Sequence, residues 1–177
     1  MITIVQKDDK ILRDIAKAVP KELFGTPKLK KILRDMSIAL ASQDDGVAIA
    51  APQIGIPLRI FVVSGSVIEL LYPEKTNALQ KKPKDIVFIN PKIVKLSRES
   101  EVVEEGCLSV RYLYGTIERS KKARVRARDE KGVEFELGGS GLLAQIFQHE
   151  TDHLDGILFI DKATNLRDIP PVDKKSE

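Results

Sequence analysis

The stretch SGLLAQIFQHETDHLDG, residues 140–156, limits the possible fold more than any other part of the sequence. Its apolar residues recur three and four positions apart, which is the spacing of a helix with a buried face. They are Leu142, Leu143, Ile146, Phe147 and Leu154. Ser140 is suited to the N-cap of this helix, and Gly156 to the position where it stops. Other elements must therefore cover a mostly buried helix near the end of the chain.

A second helix is predicted from Pro27 to Ala41, with Thr26 as its N-cap and Pro27 in its first turn. Its apolar stripe consists of Leu29, Ile32, Leu33, Met36, Ala39 and Leu40. Short β-like runs follow at 47–51, 59–63, 86–90 and 92–96. Residues 122–137 alternate on both sides of DEKG, which predicts a hairpin that turns at about 129–132.

These elements predict an α+β fold in which short, mainly antiparallel strands pack around a central C-terminal helix. The length of 177 residues suits a single domain, residues 1–177. Residues 64–85 mix a short apolar run with prolines and lysines, so we expect a surface loop there. Residues 162–177 contain two prolines and end in charge, so we expect an irregular tail.

The charge of the chain is nearly balanced, with a formal net charge of +3 at pH 7. Its main basic run consists of Lys121, Lys122, Arg124, Arg126 and Arg128. Three of these cations alternate with Ala123, Val125 and Ala127. Such alternation is typical of the solvated face of a half-buried strand. We therefore expect no direct nucleic-acid function.

The single cysteine, Cys107, cannot form a disulfide within the chain, which fits a reducing compartment. The opening residues, MITIVQKDDKILRDIAKAVP, contain no apolar run long enough for a signal peptide or a membrane span. We expect a cytoplasmic protein that makes no membrane contact. Nothing in the sequence suggests an obligate interface, so a monomer is expected.

The two histidines of the chain, His149 and His153, stand four positions apart in the C-terminal helix. Residues with this spacing lie on one helix face, so both imidazoles can bind one metal ion. Glu150 can then act as a general base on a water at that metal, as in HExxH sites. The alternative is two helix histidines beside a surface glutamate. A metal site is favoured because buried histidines need partners and both fall within the motif.

A catalytic metal site usually has three protein ligands and an open position for water. Carboxylates after the motif could supply the third ligand, namely Asp155, Asp161, Asp168, Asp173 and Glu177, but none lies on an obvious helix. Cys107, in EEGCLSV, is the other candidate, although a lone cysteine is often only a small buried hydrophobe. Gly106 before it permits close backbone approach, and a thiolate with two imidazoles would form a tetrahedral site.

A third stretch, GVAIAAPQIG at 46–55, is rich in small residues that allow a ligand or another element to approach its backbone. Gln53 is a polar side chain among apolar ones. By itself, the stretch favours a core strand that ends in a turn at Pro52, with Gln53 hydrogen-bonded to the backbone.

Together, the stretches GVAIAAPQ, EGCLS and QHETDHLDG resemble the motifs of the peptide deformylase family, written GxGxAAxQ, EGCLS and QHExDHLxG. This resemblance implies that Cys107, His149 and His153 hold one divalent metal ion. The expected ion is Fe²⁺ in the cell, with Zn²⁺, Ni²⁺ or Co²⁺ possible in purified protein. The implied reaction removes the formyl group from the N-terminal formylmethionine of polypeptides emerging from the ribosome, and releases formate. Contact with the ribosome itself is possible.

The resemblance also implies roles for residues around the metal. Glu150 takes a proton from the metal-bound water and later gives one to the leaving amine. The Leu108 N–H and the Gln53 amide hold the formyl oxygen as it becomes an oxyanion. The peptide lies along Gly46–Ala48 like an added strand. Its methionine side chain enters a pocket formed by Val47, Val103, Glu105, Gly106, Leu142 and Ile146.

Two positions depart from the family pattern. Ala48 stands where the first motif has its second glycine, and its methyl group could press on the peptide. Arg111 stands where many members have proline, which predicts a different rim. Longer bacterial members also end in a helix that the tail after Asp161 is not expected to form. Two other hypotheses stay open, namely a different HExxH amidase or peptidase, and a catalytically silent homologue that binds N-terminal methionine.

Overall fold

The computed structural model describes residues 2–71 and 84–170 and has the predicted α+β architecture. Its strands are β1 (Ala48–Ala50), β2 (Ile60–Val63), β3 (Ile86–Leu96), β4 (Ser100–Cys107), β5 (Val110–Ser120), β6 (Lys122–Arg128), β7 (Glu134–Ser140) and β8 (Thr164–Asp168). Its α-helices are α1 (Pro27–Ala41), α2 (Gly65–Leu71) and α3 (Leu142–Leu154). Short 3-10 turns lie at Lys10–Arg13, Lys21–Leu23, Ala51–Ile54 and Phe159–Asp161.

The strands form two antiparallel sheets. The larger sheet has the order β1-β2-β3-β6-β7, and the smaller has the order β4-β5-β8. The predicted hairpin is confirmed as β6 and β7, with Arg128 opposite Glu134 across its turn. The separate strands predicted at 86–90 and 92–96 are one strand, β3. Its register shifts at Asn90, which has a positive φ, and Pro91, so the chain forms a bulge instead of a break.

α3 is the buried central helix that the apolar spacing predicts. The Phe147 ring packs against Phe88 of β3, with centroids 5.4 Å apart, and Phe88 stacks on Phe61 of β2 at 4.4 Å. α3 also lies very close to β7, because a Cβ on Gly139 would stand 2.6 Å from Leu143 Cγ. One face of the larger sheet and α3 therefore share a single apolar core.

The start of α3 differs from the prediction. Ser140 is not the N-cap but the last residue of β7, and Gly141 occupies the cap with φ 53°. Glycine adopts a positive φ with little strain, so the chain can pass directly from strand to helix. Gly156, with φ 74°, follows the end of the helix as predicted.

α1 covers the opposite face of the larger sheet at β1 and β2. It spans the predicted residues, and the Thr26 hydroxyl accepts a hydrogen bond from the Leu29 N–H at 3.2 Å, as expected for an N-cap. Its buried stripe packs with residues of β1 and β2 that point away from α3, including Ile49 and Ile60. The β1–β2 end of the sheet is therefore sandwiched between two helices.

The prediction of a surface loop at 64–85 is wrong for the first part of that range. Gly65–Leu71 forms α2, because Val67 is buried and Ile68 and Leu71 pack against the core at helical spacing. Residues 84–85 lead into β3, and Asp85 accepts hydrogen bonds from the Gly65 N–H and the Ser37 hydroxyl. The remainder of the expected loop, 72–83, lies outside the described residues.

The prediction of an irregular tail at 162–177 is wrong for Thr164–Asp168, because these residues form β8 and pair with β5. All five residues of β8 are exposed, so backbone pairing and polar contacts hold this edge strand instead of apolar burial. One such contact joins the hydroxyls of Thr116 and Thr164 at 3.1 Å. Residues 171–177 lie outside the described part of the chain. Within that part, none of the helices combines the length and hydrophobicity that a membrane crossing requires.

Candidate metal centre

Cys107, His149 and His153 come together although Cys107 is far from the histidines in sequence. Their candidate ligand atoms, one from each residue, all lie within 4.8 Å of one another. Cys107 is the last residue of β4, and its Sγ lies 3.2 Å from His153 Nε2. The two histidine rings stand one helical turn apart on α3, with centroids 4.9 Å apart. Two secondary-structure elements therefore present three metal-ligating side chains to one point.

The connection between β4 and β5 fixes the direction of the thiol. Leu108 and Ser109 form a two-residue turn between Cys107 and its cross-strand partner Val110. The Ser109 N–H points to Cys107 Sγ at 3.4 Å. A Cβ at Gly106 would lie 2.6 Å from the Tyr114 ring, so glycine allows this ring to pack beneath the turn.

Glu105 orients His149 from behind. Its Oε2 lies 2.9 Å from His149 Nδ1, which leaves Nε2 as the nitrogen available to a metal. Arg119 of β5 donates to both Glu105 oxygens, at 2.8 and 3.1 Å, and to Asp152 at 2.7 Å. A carboxylate that holds the second nitrogen of a ligating histidine is a common feature of metal sites.

Gln148 and Asp152, both within the histidine motif, attach α3 to β5. The Gln148 amide accepts from the Ser120 N–H and donates to the Ser120 carbonyl, both at 3.0 Å. Asp152 accepts from Arg119 and, at 2.8 Å, from Lys162. Sequence reasoning assigned no role to Arg119 or Asp152. A signal was present, because Arg119 follows Ile117 by two positions in β5, so it shares an inward face with a buried apolar residue.

The charges and hydrogen bonds around the cluster lower the pKa values of Glu105 and Cys107, and so favour their ionised forms. Burial would raise the pKa of Glu105, but hydrogen bonds from His149 and Arg119 outweigh it and lower that pKa to about 2. Burial would likewise raise the pKa of the Cys107 thiol, but the His153 charge and hydrogen bonds from both histidines lower it to about 5. The thiolate, which is the form that binds metals, is therefore favoured at neutral pH.

Glu150 is 3% exposed, and burial raises the pKa of its carboxyl to about 7. Within residues 2–71 and 84–170, neither Glu150 Oε2 nor His153 Nδ1 has a hydrogen-bond partner. A buried carboxylate oxygen without a partner is costly unless another molecule bonds to it. One soft thiolate, two imidazoles and this oxygen together fit a divalent metal ion with an open coordination position.

Gln53 and Leu108 flank the cluster. The Ala50 N–H donates to Gln53 Oε1 at 2.8 Å, so the amide nitrogen of Gln53 is directed toward Ser109 Oγ at 3.2 Å and Cys107 Sγ at 3.6 Å. Leu108 lies in the turn that follows Cys107. Both residues line a cavity of about 280 Å³ that also reaches Cys107, His149 and Glu150. That volume is at the low end for small-molecule sites.

Five of the eight residues predicted to bind substrate line this cavity with apolar or backbone atoms. They are Val47, Ala48, Gly106, Leu142 and Ile146. Glu105 also lines the cavity, but its carboxylate is occupied by His149 and Arg119. Val103 and Gly46 are absent from the lining among the described residues. Gly46 instead packs under α1, because a Cβ there would lie 2.9 Å from Leu40 Cδ1.

Arg111, at the position where many family members have proline, lines the cavity. Its guanidinium donates to Asp45 at 2.7 Å and to the Gln43 side chain, and so joins the start of β5 to the loop before β1. Ala48, the other departure, belongs to the buried core as well as to the cavity wall. Beside it, β1 is an edge strand of the larger sheet in the described part of the chain.

Comparison with known proteins shows similarity to peptide deformylases over most of the chain. The family model described as polypeptide deformylase matches residues 1–168. Peptide deformylase 2 of Clostridium acetobutylicum is 42% identical over 158 residues, covering 89% of this chain and 91% of that protein. The chloroplastic peptide deformylase 1A of Solanum lycopersicum is 37% identical over 165 residues, which are 92% of this chain. The chain spans 59% of the length of that protein.

Solved structures agree as well. A class I type b peptide deformylase from Acinetobacter baumannii with Met-Ala-Ser bound superposes with a TM-score of 0.78 at 30% identity, covering 91% of this chain and 97% of that one. A peptide deformylase from Legionella pneumophila gives a TM-score of 0.76 at 37% identity, covering 92% of this chain and 86% of that one. The family match spans nearly the whole chain and includes all three motifs. This chain belongs to the polypeptide deformylase family.

Proposed function

We propose that this chain is a metal-dependent hydrolase that removes the formyl group from N-formylmethionyl peptides and releases formate. One observation carries the proposal: Cys107, His149 and the buried Glu150 line a cavity beside the edge strand β1, and His153 completes the cluster of candidate ligands. Family membership supports deformylation as the reaction.

Cys107, His149 and His153 would hold the metal ion. The resemblance favours Fe²⁺, and the donor set also suits Zn²⁺, Ni²⁺ or Co²⁺. Such an ion supplies Lewis acidity, which polarises a carbonyl and makes water acidic enough to act near neutral pH. Glu105 and Arg119 contribute by holding the His149 ring in one orientation.

Glu150 moves the protons. A carboxyl with a pKa of about 7 can accept a proton and return it near neutral pH, which suits a general base that later acts as an acid. Glu150 takes a proton from the attacking water, whose oxygen bonds to the formyl carbon. It then delivers that proton to the peptide nitrogen as the carbon–nitrogen bond breaks. The products are formate and a peptide with a free N-terminus.

Gln53 and the Leu108 N–H stabilise the oxyanion that develops on the formyl oxygen. The Ala50 N–H occupies Gln53 Oε1, so Gln53 presents its amide N–H groups toward the cluster. Donors fixed before the reaction stabilise the developing charge without reorganising. This assignment is supported by the position of both residues in the cavity wall next to Cys107.

The peptide would add to the free edge of β1 by backbone hydrogen bonds along Gly46–Ala48. Its methionine side chain would enter the cavity between Val47, Leu142 and Ile146, an apolar setting suited to a thioether. The Acinetobacter neighbour with bound Met-Ala-Ser supports a peptide of this kind. Gly46 would contribute backbone only, since it does not line the cavity among the described residues.

The proposed setting is the cytoplasm, where a single reduced cysteine is stable as a ligand. We propose that the substrates are chains emerging from the ribosome and that the protein acts as a monomer. Size-exclusion chromatography with light scattering tests the second point, and a dimer at working concentration would refute it.

The experiment that tests the function is release of formate from formyl-Met-Ala-Ser, measured anaerobically with the iron-loaded protein. Metal content is measured on the same sample. Turnover that disappears with a chelator and returns with Fe²⁺ supports the proposal. Cleavage of an internal peptide bond would indicate a peptidase instead, and tight peptide binding without formate would indicate a silent homologue.

A further inference from the structure

The face of the larger sheet that lies opposite α3 is only partly covered. α1 packs over β1 and β2, whereas the outward side chains of β6 and β7 are exposed or only partly buried. On this open part, β3, β6 and β7 carry six cationic and two acidic side chains. The cations are Lys92, Lys95, Lys122, Arg124, Arg126 and Arg128, and the acids are Glu134 and Glu136. This surplus of positive charge exceeds the net +3 of the whole chain.

The two carboxylates neutralise only one end of this face. Glu136 bonds Arg126 at 2.9 and 2.7 Å, and Glu134 lies 3.6 Å from Arg128. Farther along β7, Gly138 and Ser140 stand opposite Arg124 and Lys122 and offer no charge. Arg124 is 3.6 Å from Glu136, while Lys95 and Lys122 have no ion-pair partner within the described ranges 2–71 and 84–170. Lys92, which lies opposite Arg126, has no ion-pair partner within those ranges either. Two of the three unpaired lysines, Lys95 and Lys122, therefore lie at the Lys122 end of the face.

A groove of about 440 Å³ lies at that end. We call it the basic groove, and its polar walls are Lys95, Ser97, Lys122, Arg124 and Ser140, with Gly138 in its floor. None of its described lining residues is acidic, and the largest apolar side chain among them is that of Ala123. Arginine binds phosphate through a planar fork and lysine through a point charge, so this combination is suited to phosphate oxygens.

We propose that the basic groove binds the phosphate backbone of single-stranded RNA. Within the groove, Lys122 and Arg124 lie two residues apart on β6, which is about 7 Å by the rise of a strand, and Lys95 of β3 lies opposite Arg124. Three cations spaced along one groove suit a chain of phosphates better than one free phosphate. A lipid surface is bound more firmly when apolar side chains insert between headgroups, and none larger than Ala123 is in the described lining of the groove. Contacts to phosphate carry no sequence information, and the described lining contains no aromatic residue that could stack on bases, so binding should not depend on sequence.

The proposal departs from the expectation that the basic run has no nucleic-acid role. That run is a solvated strand face, as predicted, with Ala123, Val125 and Ala127 buried behind it. The sequence could not show that Lys92 and Lys95 of β3 pair alongside it on the same face. The choice of RNA over DNA rests on the proposed function, since newly made polypeptides are synthesised beside RNA. The phosphate site itself does not rest on it.

The test measures binding of a fluorescein-labelled oligouridylate by anisotropy, with the intact metal-loaded protein, at several salt concentrations. Each phosphate contact on a single strand contributes a slope of about −0.7 to the dependence of log affinity on log salt. At roughly 0.1 M salt, loss of one contact therefore weakens binding about fivefold. We expect Lys95→Gln with Lys122→Gln to weaken binding by at least tenfold and to reduce the slope.

Gly138 offers a matched pair of variants. A Cβ there would lie 3.8 Å from the Arg124 guanidinium and has ordinary space, so either side chain can be accommodated. Gly138→Glu adds a carboxylate beside Arg124 and is expected to weaken RNA binding about fivefold, the effect of one lost phosphate contact. Gly138→Gln has the same shape without the charge and is expected to bind like the wild type. Lys10→Gln removes one exposed charge outside the groove and is the control for net charge.

Formate release is measured for every variant and is expected to stay unchanged, because none of these residues lies at the metal centre. RNA binding can thus fail while deformylation succeeds, or the reverse. The proposal is overturned if wild-type binding lacks salt dependence, or if Lys10→Gln weakens it as much as the groove variants. It is also overturned if polyglutamate or phosphatidylserine vesicles bind as tightly as the oligouridylate.

Discussion

Arg119→Met tests whether the buried charge network holds the metal centre together. The Arg119 side chain is 6% exposed and donates to both oxygens of Glu105 and to Asp152. Methionine fills a similar volume but donates nothing, so Glu105 would lose its arginine partner and Asp152 would keep only Lys162. Removing one partner of a buried ion pair costs about 3–5 kcal/mol, which is a large part of the roughly 5–15 kcal/mol that stabilises a typical domain.

Arg126→Met is the matched control. Arg126 also bonds a carboxylate through two nitrogens, at 2.9 and 2.7 Å from Glu136, but its side chain is 50% exposed. Water solvates both charges after the substitution, so the free energy of unfolding should barely change. The two arginines therefore separate the effect of burial from that of losing an ion pair.

The assay has two parts. Urea unfolding of the metal-free proteins, in the presence of a chelator, gives the loss of stability. Competition with a zinc chelator then gives metal affinity, which should fall by about 10–100-fold in Arg119→Met because Glu105 no longer holds His149 firmly. Arg119→Lys keeps the charge without the planar fork and should be intermediate in both. Equal loss of stability at Arg119 and Arg126, or unchanged zinc affinity, would refute this reasoning.

Three further substitutions address the centre and its rim. Glu150→Gln should keep the metal but lower kcat by about 10²–10⁴-fold, since the proton acceptor is lost; unchanged turnover at full metal content would contradict its role. Cys107→Ser should reduce bound metal measured after dialysis, because the soft thiolate is lost; full occupancy would mean that another residue is the third ligand. Ala48→Gly should lower the free energy of unfolding by about 1–2 kcal/mol, through one lost buried methyl and a freer backbone. If that methyl hinders the peptide, Ala48→Gly should also raise kcat/KM in steady-state kinetics. An unchanged kcat/KM would mean that the backbone already accommodates the methyl.

Periodicity predicted the elements whose apolar residues face one core. α1 and the β6–β7 hairpin have the predicted positions, because the inward residues of α1 and β6 are buried and those of β7 are partly buried. α2 was missed because seven residues show too little of a helical repeat to distinguish from a loop. β8 was missed because all its residues are exposed, so no alternation marks it.

The candidate site was likewise predictable only in part. Motif spacing was enough to select Cys107, His149 and His153, and the structure brings their ligand atoms together. It could not reveal Arg119, whose partners Glu105 and Asp152 lie 14 and 33 positions away and meet it only through the pairing of β4, β5 and α3. Nor could it show that Gly46 serves packing against Leu40, since a glycine in a motif does not indicate which neighbour approaches it.

The free edge of β1 has a further consequence. Unpaired strand edges invite other chains to add to them, and exposed ones promote aggregation. β1 is only three residues long, and the 3-10 turn Ala51–Ile54 ends it at once. Such a short edge can hold the end of one extended peptide but cannot template a growing sheet. The same brevity would disfavour pairing with a second copy of the chain and would favour chain termini over internal segments as ligands.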